Sequence, residues 1–305
     1  MKTPLLADMF ASHPSLISSY SPASKRNLPL SGIALVAMCM ALAGCDTMSS
    51  MTSGRGPRIA EIEAPDASTS VNIASLTEVI QRNQTNPEPF NTRGIAYARV
   101  GRYQEAIADF TAAIKLDPNH AAALTNRALA ERQINKNDLA LVDFNKAVLA
   151  NPNHAPAYLG RANLLRSQGN LADALSDLDQ AIRLNPEAAQ AFHARGLIHQ
   201  RNGNHARAVT DFDNAIDRDP FAAAPYLARG QSLIALGKYE TAIEDFNAAL
   251  NVNNHNADAW ASLGQAYEKS GNKPKAAESY QRALTVNPNQ SVAREGQNRV
   301  GRPPS

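Results

Sequence analysis

What this chain has little of narrows its function before any pattern is read. It holds two cysteines in 305 residues, Cys39 and Cys45, too few for a disulfide-stapled scaffold. It has no CxxC pair, no HExxH, no glycine-rich phosphate loop and no nucleophile elbow, so the common routes to metal, nucleotide and acyl-transfer chemistry have no foothold. Its longest uninterrupted apolar run, Ile33 to Ala43, is 11 residues, against about 20 for a helix that crosses a bilayer. Charge of one sign is missing too: 30 Lys and Arg against 28 Asp and Glu leave a formal charge of +2. That excess sits in the first 44 residues, where Lys2, Lys25 and Arg26 face only Asp8. Without them 27 basic and 27 acidic residues remain, so nothing draws the chain to nucleic acid.

What the chain does have is a period. Ala106, Ala140, Ala174, Ala208, Ala242 and Ala276 stand 34 residues apart. Four residues after each comes a large side chain: Phe110, Phe144, Leu178, Phe212, Phe246 and Tyr280. A second alanine follows at Ala113, Ala147, Ala181, Ala215, Ala249 and Ala283, and a proline closes the unit at Pro118, Pro152, Pro186, Pro220 and Pro288, with Asn254 the one departure. Twelve residues before each leading alanine is a small residue: Gly94, Ala128, Ala162, Gly196, Gly230 and Gly264. Self-similarity at this length belongs to stacked helical repeats. In the first unit, Pro87 to Val100 and Tyr103 to Leu116 each show helical spacing, with Gly101 as the breaker between them. One such hairpin cannot bury its apolar faces alone, so the units must stack.

Read as W-x2-L-G-x2-Y…A-x3-F…A…P, the columns resemble the tetratricopeptide repeat (TPR) family. The resemblance implies an all-α solenoid of six helical hairpins with a short N-terminal capping helix. The gapless units are 87–120, 121–154, 155–188, 189–222, 223–256 and 257–290.

Residues 1–44 pose a different problem. Lys25 and Arg26 precede the apolar run, which ends in Leu42-Ala43-Gly44-Cys45. A positive start, a short apolar middle and small residues at the end describe a secretory signal. The last four residues resemble a bacterial lipoprotein signal, which implies lipid attachment at Cys45 and periplasmic exposure on a membrane. Cys39 would be removed with the leader. The 24 residues before Lys25 make that leader long, and a downstream start is the alternative. Asp46 resembles an inner-membrane retention signal of some Gram-negative bacteria, and inner versus outer membrane stays open. Residues 45–70 read as a flexible tether with a reach of about 25–30 Å. A capping helix is expected within 71–86, opened by the Ser75-Leu76-Thr77-Glu78 capping box and ending near Arg82. In the tail, 291–305, Ser291 to Val300 is expected as a short polar helix.

Two columns vary together. The residue before the small one is Arg93, Arg127, Arg161, Arg195 and Arg229, then Leu263; the residue before the large one is Asp109, Asp143, Asp177, Asp211 and Asp245, then Ser279. Arg93 and Asp109 each lie eight residues from Gly101, level with one another in an antiparallel hairpin. An ion pair within each of five hairpins follows, structural rather than ligand-binding, since every positive charge has its own negative one.

Ligand recognition is assigned to the face of the first helices that the hairpin leaves free: Asn91, Arg99, Thr125, Arg132, Asn163, Arg166, Gln190, His193, Arg201 and Gln231. TPR proteins hold peptides on this face, so a groove is implied by resemblance, and its arginines favour an acidic or C-terminal carboxylate of a protein partner. A solvated helix face is the competing reading. The lysine and asparagine pattern of chaperone-tail-binding TPRs is not matched, because Thr125 and His193 stand where lysines are wanted, which weakens a cytosolic co-chaperone role. No catalytic residue, metal or cofactor is expected. His193, His199 and His205 are six apart, a rotation of about 600° that scatters them; His120, His154 and His255 lie at unit ends, where packing or capping is expected. In general design the chain resembles the new-lipoprotein-I type of envelope adaptor, and also TPR pilotins that help assemble pilus or secretion systems. Oligomeric state is left open.

Overall fold

The computed structural model describes residues 69–301; the leader, Cys45 and all but the end of the tether lie outside the described residues. The described residues form fourteen α-helices and no strand. After α1 (Thr69–Arg82) come six hairpins, each made of a 13-residue A helix and a 14-residue B helix. The A helices are α2 (Pro87–Arg99), α4 (Ala121–Gln133), α6 (Ala155–Ser167), α8 (Ala189–Arg201), α10 (Ala223–Ala235) and α12 (Ala257–Lys269). The B helices are α3 (Tyr103–Leu116), α5 (Asn137–Ala150), α7 (Leu171–Leu184), α9 (His205–Arg218), α11 (Tyr239–Val252) and α13 (Lys273–Val286), and α14 (Ser291–Val300) ends the array. Each hairpin packs on the next to form a TPR solenoid.

Local chemistry sets both ends of every helix. The A-to-B turn needs one residue in the left-handed region, supplied by Gly101 at φ 79° and by its equivalents; in the second unit Asn135 takes the position at φ 60°, as asparagine tolerates better than most residues. Arg102 N then donates to Tyr97 O and Gly101 N to Ala98 O, which satisfies carbonyls at the end of α2. At the B-to-A turn, Asp117 is extended, as a residue before proline must be. Its carboxylate accepts from Asn119 N, and Asn151, Asn185, Asp219, Asn253 and Asn287 make the same turn. Asn253 keeps that bond beside Asn254, so the fifth unit turns without its proline.

The core is the large column. Phe110, Phe144, Leu178, Phe212, Phe246 and Tyr280 are all fully buried. A Cβ on Gly94 would stand 2.6 Å from the Phe110 ring, so the glycine is required by the phenylalanine it faces. Where that position is Ala128, the Phe144 ring instead crowds Gly160 of the following A helix.

Five arginines lock this stack. Arg93 Nε and Nη2 donate to both oxygens of Asp109 at 2.7 Å, and Arg127–Asp143, Arg161–Asp177, Arg195–Asp211 and Arg229–Asp245 repeat the fork. The third nitrogen reaches back to the preceding B helix: Arg127 to Thr111, Arg161 to Asn145, Arg195 to Asp179 and Arg229 to Asp213. Arg93 does the same to Thr77 of α1. Four of the guanidinia therefore join two hairpins, and that of Arg93 joins the first hairpin to α1. The hydrogen bond to its aspartate holds each of the five arginines above its ordinary pKa against the opposing effect of burial, whereas at Asp245 burial outweighs the pull of Arg229 and pushes the carboxyl up, so desolvation opposes the attraction within the pair.

Two expectations about the N-terminal helix change. α1 begins at Thr69, so Ser75 lies inside it and the Ser75–Glu78 capping box does not start the helix. Thr77 occupies the place of Thr111 one period earlier, so α1 is a B helix in the array's own register.

Candidate peptide-binding groove

The free face of the A helices carries Arg132 on α4, Asn163 and Arg166 on α6, His193, Leu197 and Gln200 on α8, and Leu227, Gln231 and Ile234 on α10, at positions spaced i, i+4, i+7 along each helix, whereas Thr125, Leu129 and Leu159 in the same columns are buried. Two of the residues assigned to it do not reach it. Asn91 is 6% exposed and accepts from Asn126 Nδ2 at 3.0 Å, which ties α2 to α4. Thr125 is 1% exposed and its hydroxyl donates to Ala121 O within its own helix. Both belong to the seam between helices. Arg99, Arg132, Asn163, Arg166 and His193 are half-buried, whereas Gln190, Arg201 and Gln231 are exposed.

The arginines fall into two adjacent columns. Arg132 and Arg166 are 34 residues apart, true equivalents; Arg99 and Arg201 stand one position further on, about 100° around the helix. They still act on one another. Burial lowers the Arg166 pKa, and the charges of Arg132 and Arg201 lower it further. Its Nε is buried without a hydrogen-bond partner. His193 next to it, its ring 5.8 Å from that of Phe212, is held neutral with a pKa of about 4 by burial and by Arg166. A region that disfavours its own positive charges is one that a carboxylate would relieve.

Three features were not picked out from sequence. Gln200 occupies the Arg132 and Arg166 column on α8, where its Nε2 donates to Ala228 O and Ser232 Oγ and fastens α8 to α10. Glu131, beside Arg132, is 6% exposed with one carboxylate oxygen lacking a partner, and burial together with Asp143 raises its pKa to about 7. Its position holds Tyr97 and Tyr267 in the first and last units, so only a column-by-column reading exposes the anomaly. The Asp/Asn column at the B-to-A turn was equally visible and carries the turns described above.

The histidines do not gather. Among the described residues no group of three or more His, Cys, Asp or Glu could hold a metal ion. His120 Nδ1 accepts from Ala123 N as an N-cap, and His154 holds the equivalent place without such a bond. No helix among the described residues is long and apolar enough to cross a membrane.

Comparison with known proteins agrees with this geometry. The tetratricopeptide repeat family model matches residues 91–156, 159–223 and 227–291, two hairpins at a time. No curated protein matches the sequence. Among solved structures, the Cut9 and Hcn1 hetero-tetramer of the APC/C is similar at a TM-score of 0.67 and 19% identity, over 76% of this chain and 46% of that one. This chain thus spans under half the length of that relative. PilF of Pseudomonas aeruginosa is similar at 0.65 and 18% identity, over 72% of this chain and 99% of that one. YrrB, described as a TPR protein with an unusual peptide-binding site, is similar at 0.55 and 23%, over 62% and 97%. At these identities the likeness is one of fold. With the family model covering well over half of its residues, the chain belongs to the tetratricopeptide repeat family.

Proposed function

We propose that this chain is a membrane-anchored scaffold of a bacterial envelope, held by a lipid on Cys45 and recruiting a protein partner through carboxylates that bind the A-helix groove. TPR scaffolds serve protein–protein interaction, and the observation that carries the ligand class is the partly buried Arg166, destabilised by its neighbours Arg132 and Arg201. The anchor rests on the Leu42-Ala43-Gly44-Cys45 sequence alone. Crosslinked capture from envelope extracts tests the groove: the wild-type chain recovers a partner that the Arg132→Glu and Arg166→Glu double variant loses. Equal recovery by both sinks the groove. Incorporation of labelled palmitate, lost in Cys45→Ser, tests the anchor separately.

A second reading, an assembly factor for a pilus or secretion system, is supported by likeness in fold and extent to PilF, and to PilW, described as a type IV pilus biogenesis factor, at a TM-score of 0.59 over 99% of that chain. The same capture separates them. Proteases or cell-wall enzymes in the recovered fraction favour an adaptor; secretin or pilus proteins favour the assembly factor.

A further inference from the structure

The outward face of α5 departs from those of the other B helices. Leu139 and Val142 are about half exposed and Leu149 is 81% exposed, and with Lys146 they stand at i, i+3, i+7 and i+10, one stripe of the helix. One period away, the three apolar positions hold Glu105, Ala108 and Lys115 on α3, and Asp173, Ser176 and Arg183 on α7. None of the equivalents on α9, α11 or α13 is large and apolar either.

The residues around this stripe are sorted by charge along the helix. At the level of Leu139 the flanking positions are Glu105 and Asp173, and Asp138 precedes it on α5 itself; at the level of Leu149 they are Lys115 and Arg183, with Lys146 one turn before. One end is therefore acidic on all three helices and the other basic, about 15 Å away. The ordinary preference of helix termini for opposite charge does not account for this, because α9 carries Arg207 and Asp217 at the same two levels in the reverse order. Glu105 and Arg183 contact Arg102 and Gln180, each within one helical turn and at the surface, where such pairs exchange at little cost. A cavity of about 440 Å³ opens between α5 and α7, lined by Leu141 and Asn145 on one side and by Asp173 and Ser176 on the other, which leaves room for a long side chain beside α5.

We propose that the outward face of α5 is the contact of a homodimer, with a second copy of this chain packed antiparallel across it about a two-fold axis. An apolar patch alone would accept many partners, and the charge order selects this one. Turning a copy end for end sets Leu139 over Leu149 of the second copy and, on the flanks, Glu105 over Lys115 and Asp173 over Arg183 of the second copy. The two-fold makes each of these contacts twice. A parallel copy would oppose like charges at both ends. The face belongs to the B helices and leaves the A-helix groove open, so the dimer presents two grooves at once, and the proposal stands whether or not the groove binds carboxylates.

Sedimentation equilibrium of the full chain in a density-matched detergent reads the association. The wild type should form dimers at about 100 µM, and Leu139→Asp with Leu149→Asp should raise the dissociation constant by at least about tenfold. Two charge-reversed chains test the orientation: Glu105→Lys with Asp173→Lys, and Lys115→Glu with Arg183→Glu. Each alone opposes like charges and should stay monomeric. Mixed together they should associate, because every reversed residue of one meets its opposite in the other. All these side chains reach solvent, so each variant should retain the helical melt measured by circular dichroism. A wild type that stays monomeric overturns the proposal, as does a dimer that the aspartates leave intact or a mixture of the reversed chains that fails to associate.

Discussion

The first five hairpins and the sixth solve the same joining problem with different chemistry. In the first five, an arginine forks onto an aspartate of its own hairpin and reaches back to the preceding B helix. In the sixth, Leu263 and Ser279 replace the pair and are buried, and the serine hydroxyl turns to Lys275 O. The backward reach reappears one period later, uncharged, as Gln297 of α14 donating to Gln281 at 2.8 Å. Charge returns only at the rim, where Glu268 accepts from the Tyr280 hydroxyl and pairs with Arg299. The contrast separates two tasks that the interior arginine combines. Apolar packing suffices to close a hairpin, whereas the long forked side chain fixes how each hairpin sits on the one before. The sixth hairpin makes no such reach to the fifth, and the joint between α13 and α14 is made by an amide pair.

The strongest way to break the comparison is to put an interior arginine into the last unit. Leu263→Arg places a guanidinium at a site 3% exposed, opposite Ser279 with no carboxylate, and should destabilise by about 3–5 kcal/mol. Adding Ser279→Asp should recover most of the loss, because Asn247 stands where Asn145 receives the third nitrogen of Arg161. Chemical denaturation of the single and double variants measures the coupling. Failure of the second substitution to rescue the first would mean that the sixth hairpin differs in geometry as well as in side chains. The converse, Arg161→Ala, leaves Asp177 buried without its fork and should cost about 2–3 kcal/mol, less than a fully enclosed pair because the arginine side chain keeps 21% exposure. An unchanged melt would show that the pair orders nothing.

How much of this was legible follows from where each interaction lies relative to the period. The hairpins were readable because both periodicities repeat: α3 spans the Tyr103–Leu116 expected, and α2 stops at Arg99 with Val100 as its cap. The forked pairs could be counted out because Arg93 and Asp109 flank one turn at equal distance. The third bond crosses between units, and its acceptors are Thr111, Asn145, Asp179 and Asp213 in turn, a column with no single chemistry to flag it. The groove was only partly readable. Helical spacing selects a face about as wide as the seam beside it, so Asn91 and Thr125 were assigned to the groove although neighbouring helices cover them. Burial depends on the packing of adjacent A helices, which one unit's sequence does not contain.

A smaller effect sharpens the contrast between the second unit and the sixth. Glu131 stands where Tyr267 stands four periods later, and its carboxyl is raised from about 4.5 to about 7 by burial and by Asp143, with Arg127, Lys136 and Lys146 acting the other way. A folded-state value above the unfolded one means that folding favours the protonated form. The penalty is absent below about pH 4.5, grows as pH rises toward 7 and is complete above that. Glu131→Gln should therefore leave stability near pH 4.5 unchanged and raise it at pH 8 by about 1–2 kcal/mol after allowance for solvent screening. Thermal melts at the two pH values check it, and an equal gain at both would mean that the substitution acts through packing instead of ionisation.

The smallest effect expected isolates the backward reach itself. Asn145→Ala removes one acceptor from Arg161 at 2.8 Å and leaves the fork to Asp177 intact. Asn145 is exposed, so water can take the vacated place and the cost should be about 0.5–1 kcal/mol. Gln281→Ala in the last joint removes the corresponding acceptor of Gln297 at 2.8 Å, a neutral bond at the rim, and should cost less, within about 0.5 kcal/mol. The ordering matters more than either value. A larger loss at Gln281 than at Asn145 would mean that the terminal amide pair, and not the arginine's third bond, carries more of the orientation between stacked hairpins.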